Sequence, residues 1–143
     1  MDTKKITHYM RVTFSLVWMP LCLTACADSV PDSDSNTMSV SVTLQDVHRC
    51  SRISPEIVLN GVPSGIEYFD VHLIEYGEEE RFLGGGDWKN DNSGIIPEGA
   101  LTKYYRGPCP PSGTSRDYAF VVSAMSRNNI QPVAVRLYRF TQE

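Results

Sequence analysis

The chain has 143 residues, with 13 Lys/Arg against 17 Asp/Glu and a formal net charge of −4 at pH 7. That length suits one domain with short appendages and excludes a multi-domain assembly. An acidic surface repels phosphate backbones, which excludes nucleic acid as the expected partner.

Residues 1–25 have the layout of an export signal. Lys4, Lys5 and Arg11 form a positive n-region, and "VTFSLVWMPLCLTA" follows as an apolar h-region. The segment falls short of the roughly 20 apolar residues that a spanning helix needs. It closes on "LTAC", Leu23 to Cys26, which resembles the lipobox of bacterial lipoproteins; ordinary signal-peptide cleavage nearby is the alternative. The resemblance implies cleavage before Cys26, diacylation of its thiol and acylation of the new amine. Each buried methylene of an acyl chain contributes about 0.8 kcal/mol, and two or more chains anchor stably. The expected partner is therefore a membrane, held through lipid and not spanned. Ala27 follows Cys26, where lipoproteins retained at the inner membrane of enteric bacteria commonly carry aspartate. The expected location is thus the bacterial cell envelope, at the outer membrane facing the periplasm. Cleavage removes three Lys/Arg and one Asp/Glu and shifts the net charge from −4 to −6.

Of the four cysteines, Cys22 leaves with the signal and Cys26 is acylated, so Cys50 and Cys109 remain in an exported chain. One bridge between them would enclose 58 residues, worth about 4 kcal/mol in the chain-entropy model. Two buried thiols are the alternative.

"ADSVPDSDSNT", Ala27 to Thr37, has little to bury and reads as a flexible tether. Residues 26–38 are accordingly the acylated cysteine and tether, and 39–143 the folded domain. "MSVSVTLQDV" alternates, with Val40, Val42 and Leu44 on one face, which predicts a half-buried strand. Ile57 to Leu59 predicts a short strand, ended by Asn60-Gly61 and Pro63-Ser64-Gly65. Tyr68 to Tyr76, aromatic and β-branched, predicts a central strand. "GEEER" is a charged turn, with Arg81 to Leu83 returning as a short strand. "GGGDWKNDNSGIIPEGAL" is dense in Gly, Asn and Asp and reads as a long loop. Tyr118 to Met125 predicts a buried strand, "SRNNIQ" a turn, and "VAVRLYRF" a closing strand with clear alternation. No window sustains the 3.6-residue period, so the fold class is mainly β with little helix.

Two separated blocks, "SPEIVLNGVPSG" (Ser54 to Gly65) and "YRGPCPPSGTSRDYAFVVSAM" (Tyr105 to Met125), resemble phosphatidylethanolamine-binding proteins (PEBPs), in particular their bacterial Raf-kinase-inhibitor-like branch. The likeness runs over roughly residues 45 to 140. It implies a PEBP-like β-sandwich with a large central antiparallel sheet and a small anion-binding pocket at one end. It also implies that Gly107, Pro108, Cys109, Pro110 and Pro111 form part of the pocket wall and that Tyr118 points inward. Prolines suit such a wall because they fix φ and remove donors, presenting the remaining groups to a ligand at little ordering cost.

The chain also departs from the family pattern. Gly77-Glu78-Glu79-Glu80-Arg81 stands where D-P-D-x-P is expected, Asp87 where one pocket histidine belongs, and Arg116 in place of another. Arg116 is always charged and can hold an anion through bidentate donors. Asp87, if opposite, would repel that anion or close the site by pairing with Arg116.

No motif for a metal or cofactor is present. His48 and His72 are isolated, and Gly84-Gly85-Gly86 lacks the Lys-Ser/Thr and helix of a phosphate loop. No nucleophile can be matched to a base. The expectation is a non-enzymatic envelope lipoprotein whose altered PEBP-like domain binds a protein partner or a small polar ligand. A working pocket for phosphate or a phospholipid headgroup is the alternative, and a hydrolase using the same cleft the remaining one.

Overall fold

The computed structural model describes residues 38–143; the signal segment, Cys26 and the tether up to residue 37 lie outside them. Seven strands follow one another: β1 (Ser39–Thr43), β2 (Glu56–Asn60), β3 (Tyr68–Tyr76), β4 (Arg81–Lys89), β5 (Ile95–Ile96), β6 (Arg116–Met125) and β7 (Ala134–Gln142). A single 3-10 turn at Asp46–His48 is the helical element among the described residues. The strands form two antiparallel sheets, in the orders β1-β2-β5 and β4-β3-β6-β7. The expected mainly-β class with a large antiparallel sheet is what the chain adopts.

Alternation along the strands explains why the two sheets pack. In β3, Phe69, Val71 and Leu73 are buried at 2%, 0% and 0% exposure, and the register sets them beside Ala124, Val122 and Phe120 of β6. Ile57, Leu59 and Ile96 of the small sheet close on them from the other side. Each fully buried aliphatic or aromatic side chain of this kind contributes about 1.5–3 kcal/mol. Met38, at 2% exposure, belongs to the same core, and its carbonyl accepts a hydrogen bond from Arg136 Nε at 2.7 Å.

The cysteines are bridged: Cys50 and Cys109 form a disulfide, with their Cα atoms 4.5 Å apart. The bridge ties the segment after the 3-10 turn to the proline-rich stretch before β6.

One expectation is overturned. Residues 84–101 do not form one long loop, because Gly84 to Lys89 continue β4 and Ile95–Ile96 make β5. The glycines mark close approach, not slackness. A Cβ on Gly85 would lie 1.9 Å from the Val71 carbonyl oxygen, and one on Gly84 would lie 2.4 Å from the Tyr104 carbonyl carbon and oxygen. Bare backbone lets residues 103–106 run against β4, where Gly85 and Lys103 exchange hydrogen bonds of 3.0 and 2.8 Å and Arg106 N–H donates to Leu83 at 2.8 Å. Strand β6 also starts earlier than expected, at Arg116, so Arg116 and Asp117 are held in the sheet.

Candidate functional site

The inward face of β3 ends in a charge. The alternation that buries Phe69, Val71 and Leu73 turns Glu75 inward as well, leaving it only 9% exposed. A carboxylate so placed needs partners, since an unpaired buried charge is costly. Arg81, its register partner on β4, donates from Nη2 to Glu75 Oε2 at 2.7 Å, and Arg116 Nη1 stands 3.8 Å from Oε1. Two guanidinium groups thus share one carboxylate.

The proline-rich segment covers this end. Gly107 N–H donates to the Ser51 carbonyl at 2.7 Å, Cys50 N–H donates to the Pro108 carbonyl at 3.0 Å, and the disulfide adds a covalent tie. Glycine is required at 107, where a Cβ would lie 2.0 Å from the His48 carbonyl oxygen. Pro108 and Pro110 are buried, whereas Pro111 is exposed. Between this wall and the end of the large sheet lies a cavity of about 450 Å³, lined by Glu75, Arg81, Phe82, Leu83, Gly84, Tyr104, Arg106, Gly107 and Cys109. Arg106 has no carboxylate within ion-pair distance among the described residues. The cavity therefore holds two arginines against one carboxylate, and that carboxylate is already engaged. A neighbouring cleft shares Glu75 and Arg81 and adds Arg116 together with Glu78 and Glu79, so its lining is net acidic.

Tyr118 sits beneath the site, opposite Glu75 across the β3–β6 register. It is fully buried, and its hydroxyl has no hydrogen-bond partner among the described residues. Burial pushes its phenol above the ordinary value and the Glu75 carboxylate adds to the shift, while the Cys109 backbone and the Arg81 and Arg116 guanidinium groups oppose it. Burial likewise raises Tyr105, whose ring stacks on Phe120 with centroids 6.5 Å apart.

Of the pocket residues expected from sequence, Gly107 and Cys109 line the cavity, Pro108 and Pro110 back it, and Pro111 stands exposed at the margin. Arg116 borders the adjoining cleft, and Tyr118, outside the cavity's lining, borders a separate cleft with Tyr76, Arg139 and Phe140. Asp87 is elsewhere. It is opposite Asp70 on the outer face of the large sheet and pairs with Lys103. Arg116 lies beyond the other end of β3, about six residues or roughly 20 Å away at strand rise. Asp87 and Arg116 therefore do not lie opposite one another, because strand parity and the length of β4 separate them. Arg81, Arg106, Phe82, Tyr104 and Glu75 were not identified from the sequence as site residues. Arg106 was the accessible signal, as the cation directly before the Gly-Pro-Cys-Pro-Pro run.

Comparison of the sequence with protein-family models and with curated proteins finds no match. Among solved structures, the chain is similar to Escherichia coli YbcL, described as a new member of the mammalian PEBP family. The TM-score is 0.57 at 16% identity, covering 74% of this chain and 98% of that one. Likeness at that identity speaks to architecture: the domain has a PEBP-like fold.

Proposed function

We propose that this chain is a non-enzymatic lipoprotein of the bacterial envelope whose PEBP-like domain holds a small anion against the proline-rich wall. The group it takes is a compact oxyanion, with phosphate, free or carried on a headgroup, as its simplest probe. The observation that carries this reading is the Arg81–Arg106 cavity. In a chain of net charge −4 it concentrates two guanidinium groups around a single, already paired carboxylate. Guanidinium groups match the planar, multi-oxygen geometry of phosphate and carboxylate and do not titrate near neutrality. The lining favours binding over turnover. It contains no serine, threonine or histidine, and Cys109 is committed to its bridge.

In a thermal-shift titration, millimolar phosphate and phosphoethanolamine are expected to raise the Tm, and Arg106→Ala to abolish the rise. A wild-type chain with no shift at those concentrations contradicts the reading. Anchoring is tested separately: Cys26→Ser is expected to move the protein from the membrane to the soluble fraction. Unchanged membrane retention would remove the lipoprotein element while leaving the anion pocket intact.

A further inference from the structure

The anion cavity is one of two clefts that meet at a single side chain. The second, of about 490 Å³, is lined by Arg52, Leu101, Thr102, Lys103, Tyr104 and Tyr105. Tyr104 belongs to both linings and is 89% exposed, so the dividing wall is an aromatic ring standing in solvent.

Its backbone explains why it stands there. Tyr104 has φ of 55°, a left-handed conformation that side-chain-bearing residues rarely adopt. The flanking hydrogen bonds enforce it, with Lys103 paired both ways to Gly85 and Arg106 N–H donating to Leu83. Backbone strain of this kind persists only where surrounding structure over-determines it, and it concentrates at binding sites. Here the kink projects the ring out of the segment.

The charges on either side match. Arg106 in the first cleft and Arg52 in the second both lack a carboxylate partner among the described residues, whereas Arg81 and Lys103 are paired with Glu75 and Asp87. Each cleft therefore offers one uncommitted guanidinium, with the Tyr104 ring between them. A single phosphate satisfies only one of the two. From Thr102 to Arg106 the chain spans at most about 14 Å, the reach of four or five extended residues. A tyrosine ring is a rigid contact surface that loses little conformational freedom on binding.

From these observations we infer that the two clefts form one groove for an extended acidic peptide segment of a partner protein. Carboxylates of the segment meet Arg52 and Arg106, and its chain crosses the Tyr104 ring. The inference rests on the anion cavity proposed above and assigns that cavity's occupant to a protein.

The test uses the full chain in detergent, with a fluorescein-labelled octa-glutamate peptide followed by anisotropy and an octa-lysine peptide as control. Octa-glutamate is expected to bind and octa-lysine not to. Arg52→Ala, Tyr104→Ala and Arg106→Ala are each expected to weaken peptide binding by about tenfold, with affinity falling as salt rises. Arg52→Ala should leave the phosphate-induced thermal shift unchanged, while Arg106→Ala should lose both responses. If octa-glutamate fails to bind while phosphate still stabilises the chain through Arg106, the groove is wrong and the anion cavity stands. If both fail, both readings fall. Peptide binding indifferent to Arg52→Ala overturns the two-cleft groove, and tighter binding of single-stranded oligo-dT than of octa-glutamate overturns the peptide assignment.

Discussion

The two ends of the large sheet carry clefts of similar size and opposite chemistry. At the end where β3 begins, a cleft of about 380 Å³ is lined by Asn60, Ser64, Asn90, Asn92, Ser93 and their neighbours, with no charged side chain among them. Its polar groups are largely engaged. Asn90 Nδ2 donates to the Ile66 carbonyl at 2.9 Å, Asn92 N–H donates to Asn90 Oδ1, and Ser93 is bonded to Asp91 and Ile95. At the end where β3 finishes, Arg106 has no counter-ion and the buried Tyr118 hydroxyl no partner among the described residues, and Tyr104 is held in a left-handed conformation. Folding alone rewards the first arrangement, since buried polar groups are normally satisfied. Left-handed Asn92 and Trp88 Nε1, without a partner among the described residues, lie toward the first end as well, so what sets the second end apart is charge: arginines gathered against a rigid proline-rich wall.

The largest expected perturbation removes what holds the wall. Replacing Cys50 and Cys109 by serine releases a loop with a sequence separation of 59, and should cost about 4 kcal/mol in denaturant unfolding. Hydrogen exchange should rise around residues 104–110 and stay unchanged at residues 90–95. Equal loosening at both ends would break the contrast between them.

Glu75→Gln separates stability from binding. Losing a charge-assisted hydrogen bond to Arg81 should destabilise the fold by about 1.5–3 kcal/mol. Phosphate affinity should nevertheless rise, because Arg81 is released and a repelling charge is gone. A fall in both quantities would mean that Glu75 positions Arg81 for the ligand.

Alkaline pH acts on the same end. Tyr118 and Tyr105 are both raised, principally by burial, so the folded chain keeps protons that the unfolded chain releases above about pH 10. Their contribution is fully present below that pH and is lost as the pH rises toward the folded values. The Tm should be flat between pH 8 and 9 and decline above 10, with a shallower decline in Tyr118→Phe. At neutral pH that variant should match or exceed the parent's stability, because it deletes an unpartnered hydroxyl.

The smallest effect belongs to the satisfied end. Asn90→Ala, losing one bond to the Ile66 carbonyl, should cost about 1 kcal/mol and leave phosphate binding untouched.

Much of this was legible in the sequence. Strand β3 appears with the expected bounds because its apolar residues alternate cleanly over nine positions, and the Gly-Pro-Cys-Pro-Pro run stands out in the sequence, its place in a pocket wall being what the family resemblance implies. Three things were hidden. The run from Gly84 to Gly86 looks like a loop because glycine at a turn and glycine under a crossing backbone are the same letter; only the contact with Tyr104 and Val71 tells them apart. Glu75 looks like a solvated charge because inward alternation at a strand's last turn depends on what covers that end. The family pattern sets Asp87 at a pocket position, whereas its face follows from pairing with Asp70, a long-range fact that spacing does not carry. The fold was thus more readable than the site, whose residues converge from four separate segments.

The most direct test of the central claim is a phosphate titration of isotope-labelled protein, followed by backbone amide chemical shifts. Anion binding at the wall should move Gly84, Tyr104, Arg106, Gly107 and Cys109 in a saturable, Arg106-dependent manner, with Asn60, Ser64 and Asn92 unmoved. Shifts confined to the asparagine-lined cleft, or none at either end, would contradict it.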